Sequence, residues 1–201
     1  SLPAGLLARL DGHTFSIFPW EITWAAPQLQ NYRPFPVFQS YQAYTAALDE
    51  WNARFLRDSA RGPEFLVVDW QAIDRRHPML DVPATHLAMF QNYRAAGRFG
   101  SHLLLQRMAA PRYQQLRSLG VHKIRRGQPF RAPPSQHPLI ARVRLTPSLT
   151  GRLRNLFYRL ADVQILLSGE DGTGISARVP PGVLSGGIPL NFTASDLDSF
   201  Q

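Results

Sequence analysis

Cysteine is absent from this sequence, and lysine nearly so. Without cysteine the chain cannot contain a disulfide scaffold, a thiolate nucleophile or a zinc site built on thiolates, and its redox compartment cannot be inferred from cysteine pairing. Of its 22 lysine and arginine residues, only Lys123 is a lysine. We interpret this bias mainly as the codon usage of a GC-rich bacterial genome; the alternative is selection for guanidinium groups that bind phosphate.

Long hydrophobic runs are also missing. The longest uninterrupted run holds four residues, as at positions 65–68, whereas a membrane-spanning helix needs about 20. Pro3, Gly5 and Arg9 interrupt the short apolar stretch near the start of the chain, so it lacks a signal-peptide pattern. We therefore expect no membrane span in these residues, and we expect a parent protein to supply export.

Carboxylates are missing from one long basic segment. Residues 109–160 hold eleven basic and no acidic side chains, whereas residues 1–108 carry a net charge of +1 and residues 161–201 a net charge of −4, within a total of +8. Such a segment indicates an anionic neighbour. The candidates are lipid headgroups, a lipid-linked diphosphate, nucleic acid bound without specificity, or the acidic C-terminal segment; no specific nucleic acid is expected.

The first half of the chain has the element order of a compact module. A chain of 201 residues can bury about 70% of its unfolded surface, and we predict an α+β (α/β) fold with a mixed sheet and helices in residues 1–108. Periodicity predicts helices at residues 2–10, 45–56 and 83–92. It predicts strands at residues 13–18, 64–69, 94–99 and 102–107, of which 64–69 is an interior strand covered on both faces. Residues 20–32 are predicted to be loop with one helical turn.

Residues 33–56 are the stretch around which this module is organised. Half of the 22 aromatic residues lie between Phe15 and Phe55, so the core or an aromatic-lined cleft is expected here. The flanking prolines predict a short strand at Val37 and Phe38. Thr45 is placed to cap the following helix. Four apolar residues at helical spacing are predicted to form its buried face: Leu48, Trp51, Phe55 and Leu56.

The second half is predicted to be a linker followed by a small module. Residues 109–134 are rich in arginine and proline and indicate a linker with one helical turn at 113–119. Residues 135–201 predict a mainly β, sandwich-like module with strands at 139–145, 162–168 and 175–179, a hairpin turn at 170–173, and one amphipathic helix at 148–160. Five arginines in this region are candidates for binding an anionic surface: Arg142, Arg144, Arg152, Arg154 and Arg159.

Four segments carry a resemblance: FPWEI at 18–22, PVFQSYQAYTAALDEWN at 36–52, IDRRHP at 73–78 and LLL at 103–105, continued by GRLRNLFYR and EDGTGISARVPPG. In this order the chain resembles the extracytoplasmic C-terminal domain of large, uncharacterised bacterial multi-span membrane proteins, similar in layout to glycosyltransferases that use lipid-linked sugars. The resemblance implies a domain on the periplasmic face of the inner membrane, partnered by the transmembrane portion of its parent. It implies no established catalytic residue.

Catalytic and cofactor motifs are few. The six histidines never recur at metal-ligand spacing with a carboxylate, and no nucleophile elbow, phosphate loop or dinucleotide fingerprint occurs, so we predict neither metal nor cofactor. The loop at 69–82 offers an acid and a base, and an enzyme acting there on a sugar or phosphorylated substrate is our alternative function. Its charged residues are equally suited to a salt-bridged connection: Asp69, Asp74, Arg75, Arg76, His77 and Asp81.

Polar and aromatic residues before the central helix form a candidate ligand site. The amide and phenol groups of Gln39, Tyr41 and Tyr44 suit the hydroxyls of a sugar, with Trp20 or Trp24 as a stacking platform. The alternative is that these rings belong to the core and the polar groups satisfy the backbone. Our leading prediction is a non-catalytic extracytoplasmic accessory domain that binds glycan or lipid-linked sugar, or orients a membrane partner.

Overall fold

The computed structural model describes residues 2–71, 76–146, 148, 163–168 and 174–191, and it has the predicted α+β fold. The helices are α1 (Ala4–Leu10), α2 (Ala46–Arg57), α3 (Pro78–Asp81) and α4 (Pro83–Asn92). The strands are β1 (Phe15–Phe18), β2 (Phe65–Asp69), β3 (Tyr93–Phe99), β4 (His102–Arg107), β5 (Ile140–Ala141), β6 (Val163–Ser168), β7 (Gly174–Val179) and β8 (Ile188–Pro189). Segments of 3₁₀ helix lie at Ile22–Asn31, Ser40–Gln42 and Pro181–Gly186.

A four-stranded mixed sheet in the order β1-β2-β4-β3 forms the centre of the first half. Strands β1 and β2 are parallel, because the chain between them crosses back through α2, and the other two pairs are antiparallel. All five residues of β2 are buried. The predicted interior strand is therefore confirmed.

Helical segments cover both faces of this sheet. On one face Leu66 and Val68 pack with apolar residues of α2 and α4, and on the other Phe65 and Val67 pack with α1 and the 3₁₀ segment Ile22–Asn31. Alternate residues of a strand point to opposite faces, so a strand between two helical layers must be apolar throughout. This explains the continuous apolar run in β2.

Helix α2 begins at the predicted cap and buries only part of the predicted face. The Thr45 hydroxyl oxygen accepts a hydrogen bond from the backbone N–H of Leu48 at 3.3 Å. The prediction that Trp51 faces the core is wrong, since 57% of this residue is exposed. Leu56 is buried as predicted, and Leu48 and Phe55 are partly buried against the core. The other buried positions are Asp49, Asn52 and Ala53.

The polar residues of α2 face inward because each has a specific partner. Asn52 accepts a hydrogen bond from the Val37 N–H at 2.8 Å and donates one to the Val37 carbonyl at 2.9 Å. Both backbone groups of Val37 therefore form hydrogen bonds with a side chain and not with a neighbouring strand. The predicted strand at Val37 and Phe38 is wrong. Asp49 accepts hydrogen bonds from the backbone of Ala84 and Thr85 at the start of α4.

The described strands of the second half form two small antiparallel pairs. Strand β5 pairs with β8, and β6 pairs with β7, as expected for the two strands of a hairpin, while the predicted turn at 170–173 lies outside the described residues. Leu80 of α3 joins the apolar side of these strands in a third core cluster with Ala177, Val179 and Val183. The second half therefore packs against the first through α3.

Several predicted boundaries differ from the structure. Residues 139–145 contain only the two-residue strand β5, residues 113–119 lack the predicted helical turn, and the loop at 69–82 contains α3. The predicted helix at 148–160 lies outside the described residues from position 149 onward. Among the described residues, no helix is both long and apolar enough to cross a membrane.

Candidate functional site

The candidate site lies at the edge of the sheet where the parallel strands β1 and β2 end side by side, with Phe18 opposite Val68. In open sheets with parallel strands, ligands commonly bind outside the carboxyl ends of the strands, where successive loops diverge. The side chains of this edge come from the last residue of β2 and the first residue of β4, from the segments that follow β1 and β2, and from the 3₁₀ turn Ser40–Gln42. We call them the carboxyl edge: Trp20, Glu21, Trp24, Tyr41, Asp69, Gln71 and His102.

Two aromatic contacts shape the carboxyl edge. The rings of Trp20 and Tyr41 lie with centroids 5.9 Å apart at 67°. Tyr41 reaches this position because the 3₁₀ turn Ser40–Gln42 is tied to the end of β1 by a hydrogen bond from the Ser40 N–H to the Pro19 carbonyl at 3.0 Å. The indole of Trp24 packs edgewise on the imidazole of His102 at 4.7 Å and 66°. Trp20, Tyr41 and Trp24 are each half-buried, so each residue is partly exposed to solvent.

The polar groups of the carboxyl edge centre on Asp69. This residue is buried at the end of β2, opposite His102 in the register of β4, and one of its carboxylate oxygens accepts a hydrogen bond from the Gln71 side-chain amide at 2.6 Å. Burial raises the pKa of Asp69, the charge of His102 opposes that rise, and the charge of Glu21 adds to it. The Asp69 carboxyl group and the Gln71 amide are therefore in contact beside His102, and Glu21 is near enough to act on Asp69 electrostatically.

A buried histidine, His86, lies behind this edge and is neutral at pH 7. The imidazole of His86 is packed between Phe18 and Trp70, with ring centroids 5.1 Å away on each side. Burial lowers the pKa of His86 to about 3, and burial also lowers the pKa of His77. Within the described residues, no group of three or more histidine, aspartate or glutamate side chains is arranged to hold a metal ion.

The described charged residues of the loop at 69–82, the alternative catalytic site, do not all lie at the carboxyl edge. Arg76 donates to the buried Asp81 carboxylate at 2.9 Å, so these two residues form the salt-bridged connection that was the alternative interpretation. Asp74 and Arg75 lie outside the described residues. Of the acidic side chains in this loop, Asp69 is the one that the structure places at the carboxyl edge.

The predicted ligand-binding residues are only partly brought together. Tyr41 joins Trp20, as expected for a shared site. Gln39 is half-buried at the start of the 3₁₀ turn, and Tyr44 is half-exposed, with its backbone carbonyl close to Gly182 of the segment Pro181–Gly186. The sequence interpretation missed Glu21, Gln71 and His102, whose positions depend on which strands are neighbours.

The predicted anionic-surface residues divide between described and undescribed segments. Arg142 and Arg144 are exposed on either side of Val143, whose backbone N–H donates to the Leu184 carbonyl at 3.0 Å and whose side chain packs on the third core cluster. Both guanidinium groups therefore point away from that core. The other three candidates lie outside the described residues: Arg152, Arg154 and Arg159.

No protein family, curated protein or solved structure matches this chain. The resemblance to membrane-anchored, glycosyltransferase-like proteins therefore stays a prediction. Function is argued below from the geometry of the carboxyl edge.

Proposed function

We propose that this chain is a carbohydrate-binding accessory domain on the extracytoplasmic face of a bacterial membrane protein, and that the carboxyl edge is its glycan site. The observation that carries the proposal is that half-buried Trp24 packs on His102, which is paired in the sheet with Asp69 and so lies near its Gln71 partner. A second aromatic pair, Trp20 and Tyr41, follows the neighbouring strand end. The resemblance to proteins that use lipid-linked sugars supports the location and the ligand class.

This combination of groups suits the chemistry of a sugar. A pyranose ring has an apolar face of C–H groups, which packs on an aromatic ring, and a rim of hydroxyls, which donate to carboxylates and bind amides. Asp69, and Glu21 next to Trp20 in the chain, supply hydrogen-bond acceptors, and the Gln71 amide is already oriented by its bond to Asp69. A few polar groups beside a largely aromatic surface are typical of a small-molecule site.

Titration with soluble oligosaccharides tests the proposal. Nuclear magnetic resonance spectra of the chain should show shifted signals for the indole N–H groups of Trp20 and Trp24 as glucose, mannose, galactose and N-acetylglucosamine oligomers are added in turn. Trp20→Ala should weaken the best of these complexes about 30-fold, because a ring that buries about 80 Å² of apolar surface contributes about 2 kcal/mol.

The matched control is Trp51→Ala, which removes an exposed indole on α2 that is not part of the carboxyl edge. It should leave oligosaccharide affinity unchanged. Equal weakening by the two substitutions, or signal shifts confined to residues away from the edge, would contradict the proposed site.

A second candidate function is cleavage or transfer of a glycosidic bond at the same edge. It is favoured by one observation, that the charge of Glu21 acts on Asp69, whose pKa is raised chiefly by burial. Glycoside cleavage uses two carboxyl groups that flank the glycosidic bond. Release of reducing sugar by the wild type and its loss in Asp69→Asn would support catalysis. Binding of oligosaccharide without release of any product would contradict catalysis and support the accessory function.

A further inference from the structure

The basic segment contains a surface that the carboxyl edge does not use. Residues 114–138, which we call the basic loop, connect the two halves of the chain and are exposed at nearly every position. The loop holds no acidic residue and has five basic ones: Arg117, Lys123, Arg125, Arg126 and Arg131. It differs from the arginine-containing surface of the first half, where Arg54, Arg57 and Arg61 pair with nearby carboxylates.

Both ends of the basic loop are attached to the folded parts of the chain. Before the loop, Arg112 donates to the Phe90 carbonyl at 3.0 Å, and the Gln91 side chain donates to the Tyr113 carbonyl at 2.8 Å. After the loop, the Leu139 N–H donates to the Asn191 side chain at 2.7 Å. Hydrogen bonds to the folded parts of the chain therefore hold both ends of the loop in place.

The middle of the loop folds back on itself and places basic groups at its tip. The Gln128 N–H donates to the Arg125 carbonyl at 3.0 Å, and the Arg125 N–H donates to the Gln128 side chain at 3.1 Å. Gly127 takes a positive φ of 79° that permits this turn. The rings of His122 and Phe130 meet across it at 4.9 Å. Arg125 and Arg126 consequently lie at the tip, and among the described residues neither forms an ion pair.

Aliphatic side chains are exposed between these basic groups. Leu119, Val121 and Ile124 are 67%, 91% and 54% exposed. Single exposed apolar residues are common on protein surfaces, but here three lie within six positions of a loop that also carries Lys123, Arg125 and Arg126. Basic groups beside aliphatic ones are the composition that binds the interface of an anionic bilayer, with charges at the phosphates and aliphatic groups below them.

We propose that the basic loop binds the surface of an anionic phospholipid bilayer, with Lys123, Arg125 and Arg126 at the lipid phosphates and Leu119, Val121 and Ile124 inserted into the headgroup region. Nucleic acid would satisfy the charges equally well. It would leave the aliphatic groups in water, since single strands stack on aromatic rings and duplexes are held mainly through phosphates. The aliphatic residues therefore favour lipid.

Vesicle sedimentation with the 201-residue chain tests the charge component. The chain should sediment with vesicles of equimolar phosphatidylglycerol and phosphatidylcholine and stay in solution with phosphatidylcholine alone. Binding should weaken at least tenfold when salt is raised from about 0.1 M to about 1 M, as the Debye length falls from about 10 Å to about 3 Å. Absence of binding to the anionic vesicles, binding that ignores salt, or tighter binding to duplex DNA would overturn the proposal.

Two matched sets of substitutions locate the contact. The triple change Lys123→Gln, Arg125→Gln and Arg126→Gln should weaken vesicle binding about 100-fold, since each basic group near an anionic surface strengthens binding roughly fivefold. The control removes the same charge from three exposed arginines of the first half: Arg9→Gln, Arg94→Gln and Arg98→Gln. Equal losses for the two sets would mean that net charge alone drives binding, and the loop would not be the site.

The absence of cysteine permits a direct test of insertion. Val121→Cys, labelled with an environment-sensitive fluorophore, should show a blue-shifted emission with the anionic vesicles. The control label at Ser101→Cys, in the exposed turn between β3 and β4, should not. Circular dichroism identical to the wild type confirms that each labelled chain is folded, and an unshifted label at position 121 on bound protein would refute insertion.

Discussion

Replacing Asp49 by asparagine should change how the stability of this protein depends on pH. Asp49 is completely buried on α2. Its carboxylate accepts the Ala84 N–H at 2.8 Å, the Thr85 N–H at 2.9 Å and the Thr85 hydroxyl at 2.7 Å, so it satisfies the free donors at the start of α4. Burial outweighs these bonds and raises the pKa of Asp49 from 3.8 to about 6.

The direction of the pH effect follows from proton linkage. An acid with a higher pKa in the folded chain than in the unfolded chain binds its proton more tightly when folded, so its contribution to stability is fully present below pH 3.8 and is lost as the pH rises past about 6. The rise of the pKa corresponds to about 3 kcal/mol. Asparagine does not titrate, so Asp49→Asn should remove this loss.

Urea unfolding followed by circular dichroism between pH 4 and pH 7 measures the effect. As the pH rises from 4 to 7, the free energy of unfolding of the wild type minus that of Asp49→Asn should fall by about 2.4 kcal/mol. The control is Asn52→Ala, which removes another buried polar side chain of α2 without removing a titrating group, and its curve should run parallel to that of the wild type. Parallel curves for the wild type and Asp49→Asn would refute the argument.

Two further predictions concern the stability of the first half. Leu56→Ala should cost about 2–5 kcal/mol in unfolding free energy, because Leu56 is fully buried, whereas the exposed Trp51→Ala should cost under about 1 kcal/mol; equal melting temperatures would contradict the assigned face. Arg107→Lys should cost about 1–3 kcal/mol, because lysine lacks the guanidinium fork that donates to the Pro63 carbonyl at 3.1 Å and to the Leu56 carbonyl at 3.0 Å. An unchanged urea midpoint would show that the fork contributes nothing.

The candidate site was only partly predictable from the sequence. Trp20, Trp24 and Tyr41 could be selected because rings beside polar groups are suited to sugars wherever they lie. Asp69 was noticed as one acid in a polar loop, and its contact with Gln71 is local, but its place opposite His102 depends on the pairing of β2 with β4. Glu21 gained importance only through its approach to Asp69. Sequence spacing does not specify such pairings, because the strands involved are separated by dozens of residues.

The sequence by itself determined the features that depend on neighbours along the chain. Thr45 caps α2, Pro83 starts α4, and the turn at Gly100 joins β3 to β4, because capping, a fixed φ and a positive φ are local properties of one or a few residues. The continuous apolar run in β2 likewise indicated an interior strand before any partner was known.

Only the tertiary structure decided which face of α2 is buried and what binds Val37. Asp49 and Asn52 face inward because each forms hydrogen bonds with a residue distant in sequence, Ala84 at 35 residues and Val37 at 15 residues. Apolar periodicity instead predicted that Trp51 would be buried, because it does not consider polar side chains whose hydrogen bonds are satisfied. The carboxyl edge was decided in the same way, by the parallel pairing of β1 with β2. A hydrogen bond to a residue distant in sequence stabilises a buried polar group as effectively as a hydrogen bond to a neighbouring residue. The spacing of residues in the sequence, however, does not predict such a bond.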